Sequence, residues 1–572
     1  MKEMTEESVS RSNVINTLYK ERTEFIILGV TGRTGTGCSE VSKLLEKDFI
    51  SLEVPKIKDL KDVEGRQYDI VYNFAKENWK PFIRIEMKHV IFTFILEHTY
   101  DVVENFMKEF GITDALEPIK DEYEKFSTKR LEYMKKVNNS NENGEMILAD
   151  EELYKFYFEE IPAFYVKFQT CLENSKKAIY TEIMQKIGNN VRASGDAMLS
   201  EIKSEDIFKL SQRLNMFIKI LRKRNLKEKG SVLIVIDAFR NPFEATFFKD
   251  RYSSFYLITV NSLEFERKER LQKKGLSISD IEKLDKVEYP KRHNDAKDFF
   301  VIDIEKTIEL ADIHINNFNT ETGNYDETKK QLIRYISLIM HPALVTPTKV
   351  ERTMQLAINS KMNSGCLSRQ VGAVITDNQY DVISIGWNSA PNNQFPCNLR
   401  DIRSLISGEQ DDEIGMSDYE RTCYEYKNFL KEKTSKVKYS NLSGRYCSYC
   451  FKDAYNSFTN KKNQVHTRSI HAEEMAFLKL SKSGGNGVQG GYLFTTASPC
   501  ELCAKKAFHT GIKKIYYIDQ YPGISLQHVL GCGKERPEMI LFNGAVGRAY
   551  NQFYTQILSF KDELYMLLDL EF

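Results

Sequence analysis

The chain has 572 residues, more than one hydrophobic core usually organises, so we expect two large domains. Lysine plus arginine and aspartate plus glutamate both total 81, and this zero net charge favours a small-molecule substrate over nucleic acid or an anionic membrane. Because no run approaches the roughly 20 apolar residues of a membrane span and the first residues lack the apolar core of a secretory signal, the sequence predicts a cytoplasmic protein.

The first predicted element is a buried strand that leads into a glycine-rich loop. Residues 25–30 form a short apolar run, typical of a parallel strand. The loop after it has the P-loop spacing G-x-x-x-x-G-K-[ST], except that Cys38 replaces the lysine that contacts phosphate. Its N–H groups can still hold the phosphates of a nucleotide without kinase turnover. The alternative, that the loop is a structural descendant of a P-loop and binds no nucleotide, stays open. The candidates for this role are Gly32, Gly35, Gly37, Cys38 and Ser39.

The next segment predicts a helical insertion within the first domain. From about residue 88 to residue 229, apolar and charged residues recur at roughly helical spacing, and the polar stretch 138–145 predicts an exposed loop there. Strand-like runs return at residues 232–236 and 256–260. Each is followed by helix-compatible sequence, which is typical of repeated strand–helix units.

This part of the chain resembles P-loop domains of the nucleotide-kinase type. Asp237 ends an apolar strand, as the acidic residue of a Walker B motif would. The resemblance implies that Arg240, Arg267 and Arg270 approach bound phosphates, although arginines on an exposed helix are more often solvated. We expect residues 1–325 to form a P-loop domain with a regulatory role, bounded by the polar stretch 316–330.

Residues 326–572 predict a second α/β domain. A helical stretch is followed by a strand-like run at residues 371–375, a second strand, a cysteine-rich irregular region and a strand–helix alternation from residue 469 onward. Only Cys38 and Cys171 of the ten cysteines lie in the first 360 residues. Since cytosolic cysteines are more often thiols or metal ligands than disulfides, we expect metal chemistry in this second domain.

Two motifs in the second domain supply the residues of a metal site. His471 and Glu473 form H-x-E, and Pro499, Cys500 and Cys503 form P-C-x-x-C. One imidazole and two thiolates can hold Zn²⁺ and leave the fourth tetrahedral position open for water, as in a catalytic zinc site. Glu473, two residues from a ligand, is the expected proton shuttle. A closed structural site is the alternative, but it needs a fourth ligand and no glutamate at that spacing.

Together these motifs resemble the signature of the zinc-dependent nucleobase deaminases, in which a zinc-bound hydroxide attacks C4 of cytosine. Residues 366–391 and 511–523 further resemble strands and loops of the deoxycytidylate deaminases. This resemblance implies a three-layer α/β/α deaminase domain, a deoxycytidine nucleotide as substrate, and Asn388 as a contact to its sugar. A turn-forming role for Asn388 stays open.

A second, structural zinc is implied by the same resemblance, since some deoxycytidylate deaminases hold one in the corresponding interval. The sequence offers a C-x-x-C pair together with a further cysteine and a histidine, which can close a tetrahedral site. Unliganded buried thiols remain the alternative. The candidate ligands are Cys397, Cys447, Cys450 and His466.

A P-loop domain without its lysine, fused to such a deaminase, is similar to bacterial anti-phage deaminases that convert dCTP and dCMP to uracil nucleotides. The resemblance to related deaminases implies a homo-oligomer. Because the phosphate loop is retained without its lysine, we expect the N-terminal domain to sense a nucleotide or a macromolecular partner and to hold the deaminase inactive until it is triggered. Three alternatives stay open: a deaminase that edits tRNA or single-stranded nucleic acid, a dCMP deaminase of pyrimidine salvage, and a binding protein with an inactive site. The preference between dCMP and dCTP is not predicted.

Overall fold

The computed structural model describes residues 6–57, 61–138, 150–175, 177–227, 230–289, 299–318, 325–407, 414–482, 484, 487–518 and 525–568. The chain divides into two compact units, of which the first comprises Met1–Thr346 with Arg548–Phe572 and the second Pro347–Gly547. The loop predicted at residues 138–145 lies, apart from Asn138, outside the described residues.

The first unit contains a parallel sheet with buried strands. Its strands are β1 (Phe25–Thr31), β2 (Ile83–Glu86), β3 (Val232–Asp237), β4 (Phe255–Asn261) and β5 (Ile313–Asn316). Within the unit they lie in the order β5-β4-β1-β3-β2. Every residue of β1, β4 and β5 is buried, as expected for apolar runs in a parallel sheet that is covered on both faces. Because Val30 pairs with Asp237, the carboxyl ends of β1 and β3 lie side by side.

Most of the first unit is helical. A core rich in aromatic residues lies among the helices between β2 and β3, where the ring centroids of Phe92 and Phe168 are 4.9 Å apart. The helices are Glu6–Glu24, Cys38–Leu45, Phe49–Leu52, Val63–Asn78, Met87–Ile95, Tyr100–Lys108, Lys120–Asn138, Glu151–Lys155, Ile161–Ser175, Lys177–Ser194, Lys209–Lys227, Pro242–Arg251, Glu264–Lys273, Ile278–Glu288, Ile304–Glu309, Asp326–Met340, Gly547–Tyr554 and Phe560–Leu568, with 3-10 turns at Glu117–Ile119 and Ser204–Asp206 and a π-helical turn at Phe156–Glu160.

The unit boundary falls after Thr346 and not near residue 325 as the polar composition suggested. Helix Asp326–Met340 belongs to the first unit because its side chains are tied to the end of β5. The Thr328 hydroxyl donates to the carbonyl of Asn316, and the Asn316 N–H donates to the Gln331 side chain at 2.9 Å. The described parts of the polar stretch, residues 316–318 and 325–330, therefore belong to the first unit, and residues 319–324 lie outside the described residues.

The second unit contains a five-stranded mixed sheet between two layers of helices. Its strands are β6 (Gly372–Thr376), β7 (Val382–Trp387), β8 (Tyr492–Thr495), β9 (Lys514–Tyr517) and β10 (Glu538–Leu541), in the order β10-β9-β8-β6-β7. The pairs of β6 with β7 and β8 are antiparallel, and the pairs of β9 with β8 and β10 are parallel. The other elements are the helices Lys349–Lys361, Ile402–Ser407, Asp418–Thr422, Tyr424–Thr434, Phe451–Thr459, Ala472–Lys482, Glu501–His509 and Ser525–His528, the 3-10 turns Cys397–Leu399 and Tyr439–Leu442, and the short strand β11 (Gly544–Ala545).

The alternation of side chains along β6 explains the three layers. Ala373 and Ile375 pack in one core with Ala472 and Ala476, whereas Val374 packs on the opposite face of the sheet with Met354. The prediction of an α/β fold is confirmed, and the layered unit is the one that carries both zinc motifs. Among the described residues, no helix is long and apolar enough to cross a membrane.

Candidate metal and catalytic site

The starts of two helices bring the residues of the two motifs together. His471 directly precedes helix Ala472–Lys482, and Cys500 is the N-cap residue of helix Glu501–His509, which carries Cys503 in its first turn. Nδ1 of His471 lies 3.3 Å from Sγ of Cys500 and 3.6 Å from Sγ of Cys503. All three candidate ligand atoms lie within 4.8 Å of one another.

This geometry fits a tetrahedral zinc ion. With Zn–S bonds of about 2.3 Å and Zn–N bonds of about 2.0 Å, a tetrahedral site separates its nitrogen and sulfur ligands by about 3.5 Å. The observed separations bracket that value, and one imidazole with two thiols is a donor set that zinc prefers. His471, Cys500 and Cys503 would therefore hold zinc, with His471 coordinating through Nδ1.

The electrostatics of the three residues favour a bound cation. A hydrogen bond from Cys503 lowers the pKa of Cys500 to about 3, and the same bond raises the pKa of Cys503. The hydrogen bond between His471 and Cys500 raises the pKa of His471. The hydrogen bonds among these three residues thus favour the charged form of one thiol, which is the form in which cysteine binds a metal ion.

Two adjacent glutamates follow His471 and have different surroundings. Glu473 is only 4% exposed, and burial raises its pKa, while its carboxyl group hydrogen bonds with Cys503. Glu474 forms an ion pair with Lys506 on the neighbouring helix. Glu473 is therefore the carboxyl group that lies beside the candidate metal ligands, and Glu474 joins the two helices at a more exposed position.

Asn388 is buried at the end of β7 and uses its side chain to hold the preceding loop. Its Oδ1 accepts the N–H of Val371 at 2.7 Å, and its Nδ2 donates to the carbonyl of Arg369 at 2.8 Å. These contacts shape the segment that leads into β6. The contact between Asn388 and the sugar of the substrate stays a prediction. The structure shows that the side chain of Asn388 positions this loop.

The four candidates for a second zinc site do not meet metal-binding distances as a group, although Cys397 lies close enough to Cys450 to contribute to the raised pKa that burial gives that thiol. In the part of the chain that the structure describes, the group of three or more ligands that meets metal-binding distances is that of His471, Cys500 and Cys503. Burial is the main cause of the raised pKa of both Cys397 and Cys447, and the nearby group that adds to it is Cys366 for Cys397 but Asp401 for Cys447. His466 packs edge-to-face on Tyr455, and Cys450 is the N-cap residue of helix Phe451–Thr459.

A buried ionic network lies next to the segment that carries His471. No sequence pattern indicated this network. The guanidinium group of Arg400 pairs with Glu420, and the Tyr449 hydroxyl donates to the same carboxylate. Arg468, three residues before His471, lies 3.6 Å from Glu420. Arg400 and Glu420 are fully buried, so this network anchors the irregular region next to the segment that carries His471.

In the first unit, the glycine-rich loop joins β1 to helix Cys38–Leu45. Gly35 and Gly37 have positive φ angles of 91° and 103°, which residues other than glycine rarely adopt. Ser39 hydrogen bonds to Asp237 at the end of β3, and burial raises the pKa of Asp237. Burial also raises the pKa of Cys38 to about 12, so this thiol is neutral where a P-loop carries a lysine.

The three predicted phosphate-binding arginines differ in what they contact. Arg267 donates to the carbonyl of Thr34, and Arg270 donates to the carbonyls of Gly35 and Thr36, so both hold the backbone of the loop. Arg240 donates to the Thr34 hydroxyl at 3.0 Å and to the Glu288 carboxylate. Of these three arginines, Arg240 is therefore the one that contacts a side chain of the loop, the Thr34 hydroxyl group, and not its backbone carbonyls.

Residues 431–519, which contain His471, Glu473, Cys500 and Cys503, match the family model of the cytidine and deoxycytidylate deaminase zinc-binding region. The deoxycytidylate deaminases of Enterobacteria phages T2 and T4 are 28% and 26% identical to this chain over 177 and 183 residues. These matches cover 30% of this chain and 81% and 79% of the phage proteins. The chain thus carries a cytidine and deoxycytidylate deaminase domain with phage homologues.

Among solved structures, the dCMP deaminase from the cyanophage S-TIM5 matches in its apo form and in complex with dCMP and dUMP. Both are 21% identical to this chain, with TM-scores of 0.20. The matches cover 35% and 34% of this chain and 100% and 95% of the cyanophage chain.

Proposed function

We propose that the chain deaminates the cytosine ring of a deoxycytidine nucleotide, dCMP or dCTP, by hydrolysis to the uracil nucleotide and ammonia. The observation that carries this proposal is the cluster of His471, Cys500 and Cys503 with the buried Glu473 beside it. This cluster lies within residues 431–519, which match the deaminase zinc-binding region. The names of the phage relatives support deoxycytidylate as the class of substrate.

His471, Cys500 and Cys503 would hold the zinc ion and leave one coordination position to solvent or substrate. Zinc bound there would supply a Lewis acid that lowers the pKa of water into the neutral range. The hydrogen bond between the two thiol groups supports metal binding because it favours the charged form of Cys500, which is the form that binds zinc. The start of helix Glu501–His509 adds the positive end of its dipole beside Cys500.

Glu473 would move the protons of the reaction. In the deamination, a C4–O bond forms, the C4–N4 bond breaks, and one water is consumed for each ammonia released. A carboxylate oxygen of Glu473 takes a proton from water and delivers it to N3 of the ring, then takes the remaining proton from the new C4 hydroxyl group and delivers it to the departing amino group. Its burial keeps bulk water from competing for these protons.

The test compares two variants of neighbouring residues. Purified protein is given dCMP, dCTP, CTP and cytidine, and ammonia and uracil products are measured together with zinc content. Glu473→Gln should retain zinc and lower kcat by about 10²- to 10⁴-fold, the usual contribution of a general acid–base. Glu474→Gln removes a matched charge from the pair with Lys506 and should retain most of the activity.

Equal activity in the Glu473→Gln variant and the unmodified protein would contradict the assigned proton transfer. Deamination of cytosine in an oligonucleotide, without turnover of any free nucleotide, would replace the proposed substrate by nucleic acid. Zinc content also tests the second site, because two zinc ions per chain would require ligands beyond His471, Cys500 and Cys503.

For the first unit we propose nucleotide binding at the glycine-rich loop, with a regulatory role. The support is the strand–loop–helix arrangement, the positive φ angles of Gly35 and Gly37, and the contact between Ser39 and Asp237. In cells, the proposed consequence of deamination is depletion of deoxycytidine nucleotides during phage infection. Mass spectrometry of nucleotide pools in infected cells tests this role, since expression of the Glu473→Gln variant should leave dCTP unchanged.

A further inference from the structure

The glycine-rich loop of the first unit already binds an anion that belongs to the chain. Glu288, at the end of helix Ile278–Glu288, is fully buried. The N–H of Thr34 lies 3.1 Å from each oxygen of its carboxylate, and the Thr34 hydroxyl donates to the same group. A backbone N–H group of a phosphate-type loop thus faces a carboxylate 254 residues away in the sequence.

Arg240 supplies the cation of this arrangement. Its Nη1 lies 2.6 Å from Oε1 of Glu288 and donates to Oγ1 of Thr34 at 3.0 Å. The charge of Arg240 also acts on the pKa of Cys38 and on that of Asp237, so this cation lies near the residue that replaces the lysine. Guanidinium groups bind carboxylate and phosphate oxygens through the same donors.

The loop is held in shape by contacts that do not involve Glu288. Arg267 and Arg270 donate to the carbonyls of Thr34, Gly35 and Thr36, as described above. The Asn317 side chain also donates to the carbonyl of Thr36 at 2.9 Å. Removal of the Glu288 charge therefore leaves the backbone of the loop with its own supports.

We propose that the Glu288 carboxylate occupies the position of a phosphate group, and that a triphosphate chain binds the loop by displacing it. The incoming phosphate takes over the N–H of Thr34 and the guanidinium group of Arg240. This inference rests on the proposed nucleotide binding and adds an internal competitor to it. Ligand binding then requires helix Ile278–Glu288 to release its terminal residue.

The first experiment measures binding of ATP and of inorganic tripolyphosphate to the full chain by calorimetry. Glu288→Gln keeps the shape of the side chain and removes its charge, and it should raise the affinity at least about tenfold because no competing state remains. The matched control is Asp312→Asn, which removes another buried charge, that paired with Lys249 at 2.7 Å, and should change affinity by less than about twofold. Tripolyphosphate separates recognition of the phosphates from recognition of the base.

A double variant tests the role of Arg240. Arg240→Gln introduced into the Glu288→Gln protein should cancel the gain in affinity, because the phosphate then lacks its cation. Equal affinity of the unmodified protein and Glu288→Gln would overturn the displacement while leaving nucleotide binding intact. Absence of binding to all these variants would overturn the loop as a phosphate site, and the displacement with it.

Hydrogen exchange on the unmodified protein gives a second readout that needs no variant. Saturating ATP should protect the amides of residues 34–39 and accelerate exchange in residues 278–289, since their terminal carboxylate is released. Protection of both segments would show that ATP binds without displacing Glu288, and would overturn the proposal.

Discussion

The cysteines of the second unit differ in how they are placed to bind metal. Cys500 and Cys503 share a hydrogen bond and lie beside His471, whereas Cys532 is exposed and contacts backbone carbonyls of its own turn. The position of both thiols beside His471 distinguishes this pair, and the hydrogen bond that they share lowers the pKa of Cys500 while it raises that of Cys503.

Substitution of one cysteine should therefore remove the metal selectively. Cys500→Ser removes a thiolate from the candidate site, and we expect zinc content measured by mass spectrometry to fall below about a tenth of an equivalent at that site, because two ligands hold zinc weakly. Cys532→Ser is the control and should bind zinc like the unmodified protein. Full zinc content in Cys500→Ser would place the metal elsewhere.

A partly buried histidine of the first unit, His89, should make stability depend on pH. Burial lowers the pKa of His89 to about 4, with Glu86 opposing the shift and Lys88 and Arg84 adding to it. The folded state thus favours the neutral ring, so its contribution to stability is complete above pH 6.5 and is lost as the pH falls toward 4. The free energy of unfolding can fall by at most about 3 kcal/mol in this way, because each unit of difference between the pKa values of the folded and unfolded states contributes about 1.4 kcal/mol.

Urea unfolding at several pH values tests this prediction. His89→Phe keeps an aromatic ring against Tyr165, whose centroid lies 5.0 Å from that of His89, and removes the titration. The variant should lose less stability between pH 6.5 and pH 4 than the unmodified protein does. Some loss should remain, because burial also lowers the pKa of His314, to about 3. Identical pH profiles would contradict the role of His89.

At the scale of elements, the site depends on how closely helix Ala472–Lys482 approaches β7. A Cβ atom at Gly386 would lie 2.1 Å from the carbonyl oxygen of Ala472, so only glycine permits this approach. The same helix begins directly after His471 and carries Glu473 in its first turn. The contact between strand and helix therefore sets where the imidazole and the carboxyl group lie relative to the two cysteines.

Gly386→Ala should disturb this contact and with it the catalytic geometry. Overpacking of this kind costs about 1 to 3 kcal/mol, and the shift of the helix should lower kcat as well as the melting temperature. Gly487→Ala is the matched control, since an added Cβ there meets no atom within 4 Å. Loss of stability without loss of kcat in folded Gly386→Ala protein would show that the site tolerates movement of this helix.

At the scale of the whole molecule, each of the two units contains a hydrophobic core and a candidate site of its own. The aromatic-rich core with Phe92 lies in the first unit, and the two small cores on either side of β6 lie in the second. Because the candidate zinc ligands all belong to the second unit, metal binding should stabilise that unit by mass action.

Removal of zinc by a chelator should lower the unfolding transition of the second unit only. At a free metal concentration of about 100 times the dissociation constant, the stabilisation lost is about 2.7 kcal/mol. Calorimetry can identify the unfolding transition of the second unit, because Gly386→Ala and Cys500→Ser should shift the same transition that the chelator shifts. An equal shift of all transitions on chelation would contradict the separation of the metal from the first unit.

The sequence by itself determined the chemistry of the metal site. His471 and Glu473 are neighbours in the chain, as are Cys500 and Cys503, and short spacings at helix starts place side chains in a way that depends mainly on local backbone geometry. The apolar runs of β1, β3 and β4 likewise indicated a buried parallel sheet. The family match over residues 431–519 confirms that these motifs lie in a zinc-binding region of the cytidine and deoxycytidylate deaminase type.

Only the tertiary structure decided which distant groups satisfy one another. Glu288 contacts the loop at Thr34, Glu420 joins Arg400 to Arg468, and Asn388 holds the backbone of Val371. The position of the unit boundary also depended on such contacts, since Thr328 and Gln331 tie their helix to β5. A buried charge or amide must find a partner wherever the fold brings one, and pairs formed across the fold leave no spacing or period in the sequence.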